Sequence, residues 1–207
     1  MKRKWPFPYI IIATGNKNKL EQFRELFLKH LNLDVKGLKD FQDLPDIMED
    51  QDTFEGNAIK KAETISQHLN APVVSDDSGL VVPALNGKPG VYSARYAGEK
   101  ATDEENNRKL MKEMESIPQE KRQAYYVCAM ALAVPGEKAK IVQGKCHGEI
   151  IREPRGNQGF GYDPLFYVPS LQKTMAELGN QQKFAISHRG EATRLLIEEM
   201  KSLYHFS

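Results

Sequence analysis

The stretch Tyr9-Ile10-Ile11-Ile12-Ala13-Thr14 narrows the possible folds more than any other. It is apolar and β-branched, and it has the length of a strand. It runs straight into Gly15-Asn16-Lys17-Asn18, which is turn chemistry. Beyond that turn Leu20, Phe23, Leu26, Phe27 and Leu31 recur at helical spacing, so the chain opens as strand, turn, helix.

The same alternation continues along the chain. Asp52 and Glu55 have capping-box spacing ahead of a second helix whose apolar face would be Phe54, Ala58, Ala62, Ile65 and Leu69. A short strand, Pro72 to Ser75, leads into Asp76-Asp77-Ser78-Gly79, read as a strand end with a glycine turn, and Leu80-Val81-Val82 lies beyond it. Thr102 and Glu105 mark another capped helix, carrying Leu110, Met111 and Met114. Alternation from Ala124 to Val134, the turn Pro135-Gly136-Glu137 and a strand around Ile141 to Cys146 predict a hairpin. A last helix is predicted from Glu191 to Tyr204 with Leu195, Leu196, Met200 and Leu203 inward. Interleaved strands and helices plus a hairpin predict a mixed-sheet α/β fold, with the central sheet flanked by helices. Without a repeat or a low-complexity linker, residues 1–207 are expected to form one domain.

Charge excludes some function classes. A formal net charge of +1 provides no global field to hold a polyanion, so phosphate must be met by locally arranged donors and no nucleic-acid partner is expected. The longest apolar run near the start is far too short for a bilayer, so no membrane partner is expected either. Met1-Lys2-Arg3-Lys4 is followed by Trp5-Pro6-Phe7-Pro8 instead of an apolar signal core. Cys128 and Cys146, far apart in strand-like segments, suggest neither a disulfide framework nor a zinc site. A cytoplasmic protein is expected.

Four segments could carry chemistry. Thr14-Gly15-Asn16-Lys17-Asn18-Lys19 ends a strand and opens a helix, where free N–H groups and the helix dipole favour an anion. It lacks the second glycine and Lys-Ser/Thr pair of a P-loop, and an ordinary turn with exposed lysines reads equally well. In Asp76-Asp77-Ser78-Gly79, paired carboxylates suit a hard cation such as Mg²⁺, although an Asx-turn is the plain alternative. Because neighbouring side chains on an extended backbone oppose each other, one aspartate would face a metal and the other the scaffold or a lysine. Glu49 and Asp50 could add metal oxygens or belong to a solvated acidic loop. Gly156 to Pro164 sets Phe160 and Tyr162 among glycines, either to stack on a base or to pack inward, and Asp163 could accept a purine N–H. Lys183, His188 and Arg189 could donate to a ligand or remain surface residues.

Taken in order, Thr14-Gly15-Asn16-x-x-Lys19, Ser75-Asp76-Asp77-Ser78-Gly79-Leu80, Pro89-Gly90-Val91-Tyr92-Ser93-Ala94-Arg95-Tyr96, Gly159-Phe160-Gly161-Tyr162-Asp163-Pro164 and Ala185-Ile186-Ser187-His188-Arg189-Gly190 resemble the inosine triphosphate pyrophosphatase family. The resemblance spans nearly the whole chain. It implies hydrolysis of non-standard purine triphosphates (ITP, dITP, XTP) to monophosphate and pyrophosphate, a two-lobed α/β fold with the active-site cleft between the lobes, a homodimer and a Mg²⁺ requirement. It also implies that Asp77 is the catalytic carboxylate and a metal ligand, with Glu49 as a second ligand. Thr14, Gly15, Asn16, Lys17, Asn18, Lys19, Lys61 and Ser78 would meet the triphosphate. Phe160, Gly161, Tyr162, Asp163, Lys183, His188 and Arg189 would hold the nucleotide and its base. One segment departs from the family pattern: Gly56 stands before Asn57 where a glutamate is usual. The main rival is a nucleotide- or RNA-binding module without catalysis.

Overall fold

The computed structural model describes residues 2–206, apart from the side chain of Asn18. In chain order the elements are β1 (Arg3–Lys4), β2 (Tyr9–Ile12), α1 (Lys17–Leu31), β3 (Asp34–Gly37), α2 (Phe54–Leu69), β4 (Val73–Val81) and α3 (Asp103–Glu113). There follow β5 (Gln123–Ala133), β6 (Lys140–Ile150), β7 (Phe166–Val168), β8 (Lys173–Thr174), α4 (Asn180–Ile186), α5 (His188–Leu203) and β9 (Tyr204–His205). A seven-stranded sheet has the order β3-β2-β4-β5-β6-β7-β8. Its β2 is parallel to β3 and β4, while β7 is antiparallel to β6 and β8. The mixed-sheet α/β expectation therefore holds.

The chain divides into two compact units. One comprises Met1–Asp77, Ala129–Gln143 and Ala192–Ser207, and the other Ser78–Cys128 and Gly144–Glu191. Strands β4, β5 and the start of β6 pass from one unit's residues to the other's.

In the first unit, the apolar β2 residues Ile10, Ile11 and Ile12 are buried, as are Phe23, Phe27 and Leu31 from α1. Leu20 and Leu26 lie at the edge of that stripe and are half-buried. Helix α2 begins one residue later than its acidic spacing predicts. Thr53 is the N-cap and accepts from the Gly56 amide at 3.0 Å, so Asp52 and Glu55 do not form the expected box. Leu195 of α5 is exposed, and the buried stripe runs through Ala192, Leu196, Ile197 and Met200 instead. Trp5 is buried with edge contacts to Phe7 and Tyr204 and a tilted contact to Phe206, so its ring packs within the chain. Beside it β1 pairs in parallel with β9.

In the second unit, Leu80, Val82, Leu110, Met114, Tyr126, Ile150, Tyr162 and Phe166 belong to one apolar core. The predicted cap of α3 is present, with Thr102 and Glu105 satisfying each other's backbone amides. Arg122 is buried and donates from Nε to the Ile150 carbonyl at 2.7 Å and from Nη1 to the Met114 carbonyl at 2.6 Å. This fork ties the residues after α3 to the strands. Both cysteines are free and buried.

The sequence pattern misjudges two strands. β4 does not end at the aspartates but continues through Ser78 and Gly79 to Val81. Strand β5 is buried almost without interruption from Tyr126 to Val134, because it is the middle strand of the sheet and is covered on both faces. Strict alternation appears instead on β6, where Gly144, Cys146, Gly148 and Ile150 are buried. Among the described residues no helix is long and apolar enough to cross a membrane.

The first unit contains a polar cluster with a testable consequence. Arg3 grips Glu137 through both guanidinium nitrogens at 2.7 and 2.8 Å, and the Tyr204 hydroxyl donates to Glu137 at 2.8 Å. Burial works against the Glu137 charge, but the bonds from Arg3 and Tyr204 outweigh it and hold the carboxyl below its ordinary pKa. A group depressed in the folded state stabilises above its unfolded pKa of about 4.3, and that contribution fades as pH falls through the folded value. Glu137→Gln is expected to lower stability at pH 7 and to flatten its loss as pH falls below about 4.3. Urea midpoints across that range check this, and identical acid slopes in both proteins would contradict it.

Candidate active site

Apart from Ser78, which belongs to the second unit, the predicted phosphate and metal residues lie in the first, on α1, α2 and β4 and the segments before the two helices. The Thr14 hydroxyl accepts from the Asn16 amide at 3.2 Å, and Asn16 Oδ1 accepts from the Lys19 amide at 3.1 Å, capping α1. Gly15 and Lys17 are exposed at this turn, and the Asn18 side chain lies outside the described residues. Opposed side chains on β4 take separate partners. Asp76 lies 3.6 Å from Lys19 Nζ, and Asp77 Oδ2 accepts from Asn57 Nδ2 at 2.9 Å. Asn57 is buried, and its Oδ1 accepts from the Gln51 amide at 2.9 Å. Lys61 Nζ lies 2.5 Å from Glu49 Oε1 and donates to the Asp76 carbonyl at 3.2 Å.

Gly56 has a local reason in this arrangement. A Cβ there would stand 2.9 Å from Gln51 Cβ and 3.0 Å from Thr53 Oγ1. The glycine lets the loop bearing Glu49 and Gln51 lie against the first turn of α2. Among the described residues no three His, Cys, Asp or Glu side chains are gathered as a ready metal cage. Mg²⁺ does not require one, because it commonly takes one or two carboxylates plus water and substrate phosphate. Glu49 Oε1 and the Asp76 carbonyl converge on the Lys61 ammonium, so this corner of the site offers oxygen donors to a positive charge.

In the second unit a cavity of about 150 Å³ is lined by Ser78, Phe160, Asp163, His188 and Arg189, among others. Cavities of this volume elsewhere accept a single aromatic ring. Asp163 is buried and well supplied with donors. Its Oδ2 accepts from Lys183 Nζ at 2.7 Å and from the Phe160 amide at 3.2 Å, and its Oδ1 accepts from the Tyr126 hydroxyl at 3.3 Å. Burial, then the nearby Asp163 charge, pushes the Tyr126 phenol well above its usual pKa, so it stays a neutral donor. The Tyr126 ring stacks on His188, with centroids 4.8 Å apart and planes 16° from parallel. His188 and Arg189 do not precede the last helix, as the sequence suggests, but form its first turn. Arg189 Nη2 donates to the Ser78 hydroxyl at 3.2 Å. The two aromatics of the glycine loop part ways. Phe160 is 61% exposed, whereas Tyr162 is buried and donates to the Ser93 carbonyl at 2.6 Å.

The Ham1 family model matches residues 10–199 of the chain. The chain belongs to the Ham1 family. Among its relatives, the dITP/XTP pyrophosphatase of Bacillus cereus is 50% identical over 193 residues, covering 92% of this chain and 94% of that protein. The dITP/XTP pyrophosphatase of Geobacter sulfurreducens is 50% identical over 191 residues, covering 92% and 96%. Among solved structures, the Staphylococcus aureus Ham1 protein has a TM-score of 0.87 at 43% identity, covering 94% of this chain and 98% of that one. The Coxiella burnetii HAM1 protein has a TM-score of 0.88 at 43% identity, covering 95% and 100%.

In this Ham1 chain several site residues fall outside the motifs that the sequence displays. Tyr126, Asp103 and Asn106 line the cavity from strand and helix positions that read as scaffold. Asn57 sits within a helical stripe, and only its contact with Asp77 distinguishes it. Gly159 is more legible. It has φ of +87°, and a Cβ there would collide with the Asp163 carboxylate and the Lys183 ammonium. Gly159→Ala combines left-handed strain with the breaking of a partly buried ion pair. It is expected to lower unfolding free energy by about 2 kcal/mol or more. Urea denaturation checks this, and a change under about 0.5 kcal/mol would contradict it.

Proposed function

We propose that this chain is a Mg²⁺-dependent nucleoside triphosphate pyrophosphatase that hydrolyses ITP, dITP and XTP to the monophosphate and pyrophosphate. The observation that carries this is the stretch 76–78 of β4. There Asp77 is oriented by Asn57 beside the Lys61–Glu49 pair, and the next residue, Ser78, is bound by Arg189 at the ring-sized cavity. The names of the relatives, half identical over nine-tenths of the chain, support the same substrate class.

Asp77 and Glu49 would hold the metal. When bound, it supplies charge neutralisation on phosphate oxygens and draws electron density from phosphorus. Asp77 orients a water toward the α-phosphorus and takes its proton. Lys19, Lys61 and the amides at the α1 N-terminus neutralise the departing pyrophosphate, and such electrostatic stabilisation carries most of the rate in phosphoryl chemistry. Lys17, Thr14, Gly15, Asn16 and Asn18 complete this phosphate contact in the proposal.

Base selection follows from donors and acceptors. A carboxylate offers about four acceptor sites, and Asp163 already uses three, so about one remains for a purine N1–H. His188 and Arg189 present donors to an oxygen at C6. Phe160 covers the ring, and Gly161 and Tyr162 shape the cavity wall. Adenine has an amino group at C6 and no hydrogen on N1, so both sides of the site would be left unpaired. Mismatches of that kind discriminate by roughly 10⁴-fold.

Residues 1–207 act in this reading as one catalytic domain, active as a homodimer in the cytoplasm. The buried free thiols fit a reducing compartment, and the near-neutral charge fits a small-molecule substrate better than a nucleic acid.

With ITP and Mg²⁺ the expected products are IMP and pyrophosphate, with ATP cut far more slowly. Asp77→Asn is expected to lower kcat by about 10³-fold while the unfolding midpoint stays put. Product identification by ion exchange and steady-state kinetics test this. Orthophosphate with IDP as products, near-native turnover in Asp77→Asn, or equal efficiency on ATP and ITP would each refute the corresponding element.

A further inference from the structure

We propose that Asp103 and Asn107, on the first turns of α3, are positioning residues that latch the Gly161 peptide and so hold Phe160 at the cavity. The inference rests on reading that cavity as the base pocket, and it adds two residues that lie outside the family motifs.

Phe160 is 61% exposed, so its own packing does not fix where it stands. Its backbone does. The Phe160 amide donates to Asp163, and the next amide, that of Gly161, donates to Asp103 Oδ2 at 2.6 Å. On the other side of the same residue, the Gly161 carbonyl accepts from Asn107 Nδ2 at 2.7 Å. Both peptide groups that flank the Gly161 α-carbon are therefore held from one helix.

The latch itself is firmly built. Asp103 opens α3 directly after the Thr102 cap, whose reciprocal bonds with Glu105 fix the first turn. Asn107 donates its second amide hydrogen to the Asp103 carbonyl at 2.7 Å, so both hydrogens are committed. A flipped amide would set its oxygen against two carbonyls, which leaves one orientation. The Asn107 carbonyl oxygen is buried without a protein partner among the described residues. That is an unfavourable placement for a residue whose only task is surface solvation.

The surroundings make the latch necessary. The strip Phe160–Gly161 forms a wall of the 150 Å³ cavity and also of a neighbouring groove of about 450 Å³, lined by Glu104, Arg108, Met111 and Pro154. With open space on both sides, the strip is held by the bonds between Phe160 and Asp163 and by the two bonds from α3. A group that holds the base equally in ground and transition states affects KM and leaves kcat alone.

The test combines amide hydrogen exchange over residues 157–163 with steady-state kinetics on ITP for wild type, Asp103→Ala, Asn107→Ala and Asp103→Asn. The alanine variants are expected to exchange at least tenfold faster in that segment and to raise KM about tenfold, with kcat within twofold. Asp103→Asn keeps an acceptor for the Gly161 amide and is expected to restore most of both. Unchanged exchange in the alanine variants would overturn the latch. Faster exchange with unchanged KM, or a loss confined to kcat, would overturn its role in base binding. A wild-type protein that binds no inosine nucleotide would overturn the base-pocket reading and this inference with it, whatever the exchange data say.

Discussion

The hydrogen bond from the Asn57 amide to the Asp77 carboxylate, 2.9 Å long, fixes the side chain on which the proposed chemistry depends. A carboxylate on a strand has several staggered orientations, and useful chemistry needs only one of them. Asn57 selects it because its own orientation is fixed: it is buried, and its oxygen is held by the Gln51 amide. The same loop carries Glu49 to Lys61, which reaches back to the Asp76 carbonyl. Two short relays thus join the acidic loop, α2 and β4. Gly56 allows the loop to lie close enough for both.

Strand alternation then separates two tasks that the paired aspartates could otherwise confuse. Asp76 meets Lys19 of α1, whereas Asp77 meets Asn57 of α2. One carboxylate faces a lysine, and the other is the one to which we assign the water. In the second unit the logic is similar but the environment is drier. Asp163 accepts from Lys183 and from two further donors, and Tyr126 remains protonated because burial opposes its ionisation. Buried polar groups with nearly all their partners in place form a stiff template for reading a flat ligand.

Much of this was legible in the residues, for identifiable reasons. β2, α1, α3 with its Thr102 cap, and the β5–β6 pair have strong local patterns, and local patterns survive folding. The pattern misses the full length of β4 because Asp-Asp-Ser-Gly has turn composition, while its extended state comes from pairing with the neighbouring strand β5, far away in sequence; β2 reaches only Val73 and Val74. Short β7 and β8 and helix α4 carry too few residues for a period to emerge. The same distinction runs through the site. Asp77, Phe160, Asp163, His188 and Arg189 stand in compact motifs that the sequence displays. Asn57, Tyr126, Asp103 and Asn107 lie on ordinary strand and helix faces, and only tertiary packing gives them partners.

The central claim is that water attacks the α-phosphorus. Single-turnover hydrolysis of ITP in water enriched in oxygen-18 tests it most directly. The account expects one heavy oxygen in IMP and none in pyrophosphate. Label in pyrophosphate would place the attack on the β-phosphorus and contradict the assignment.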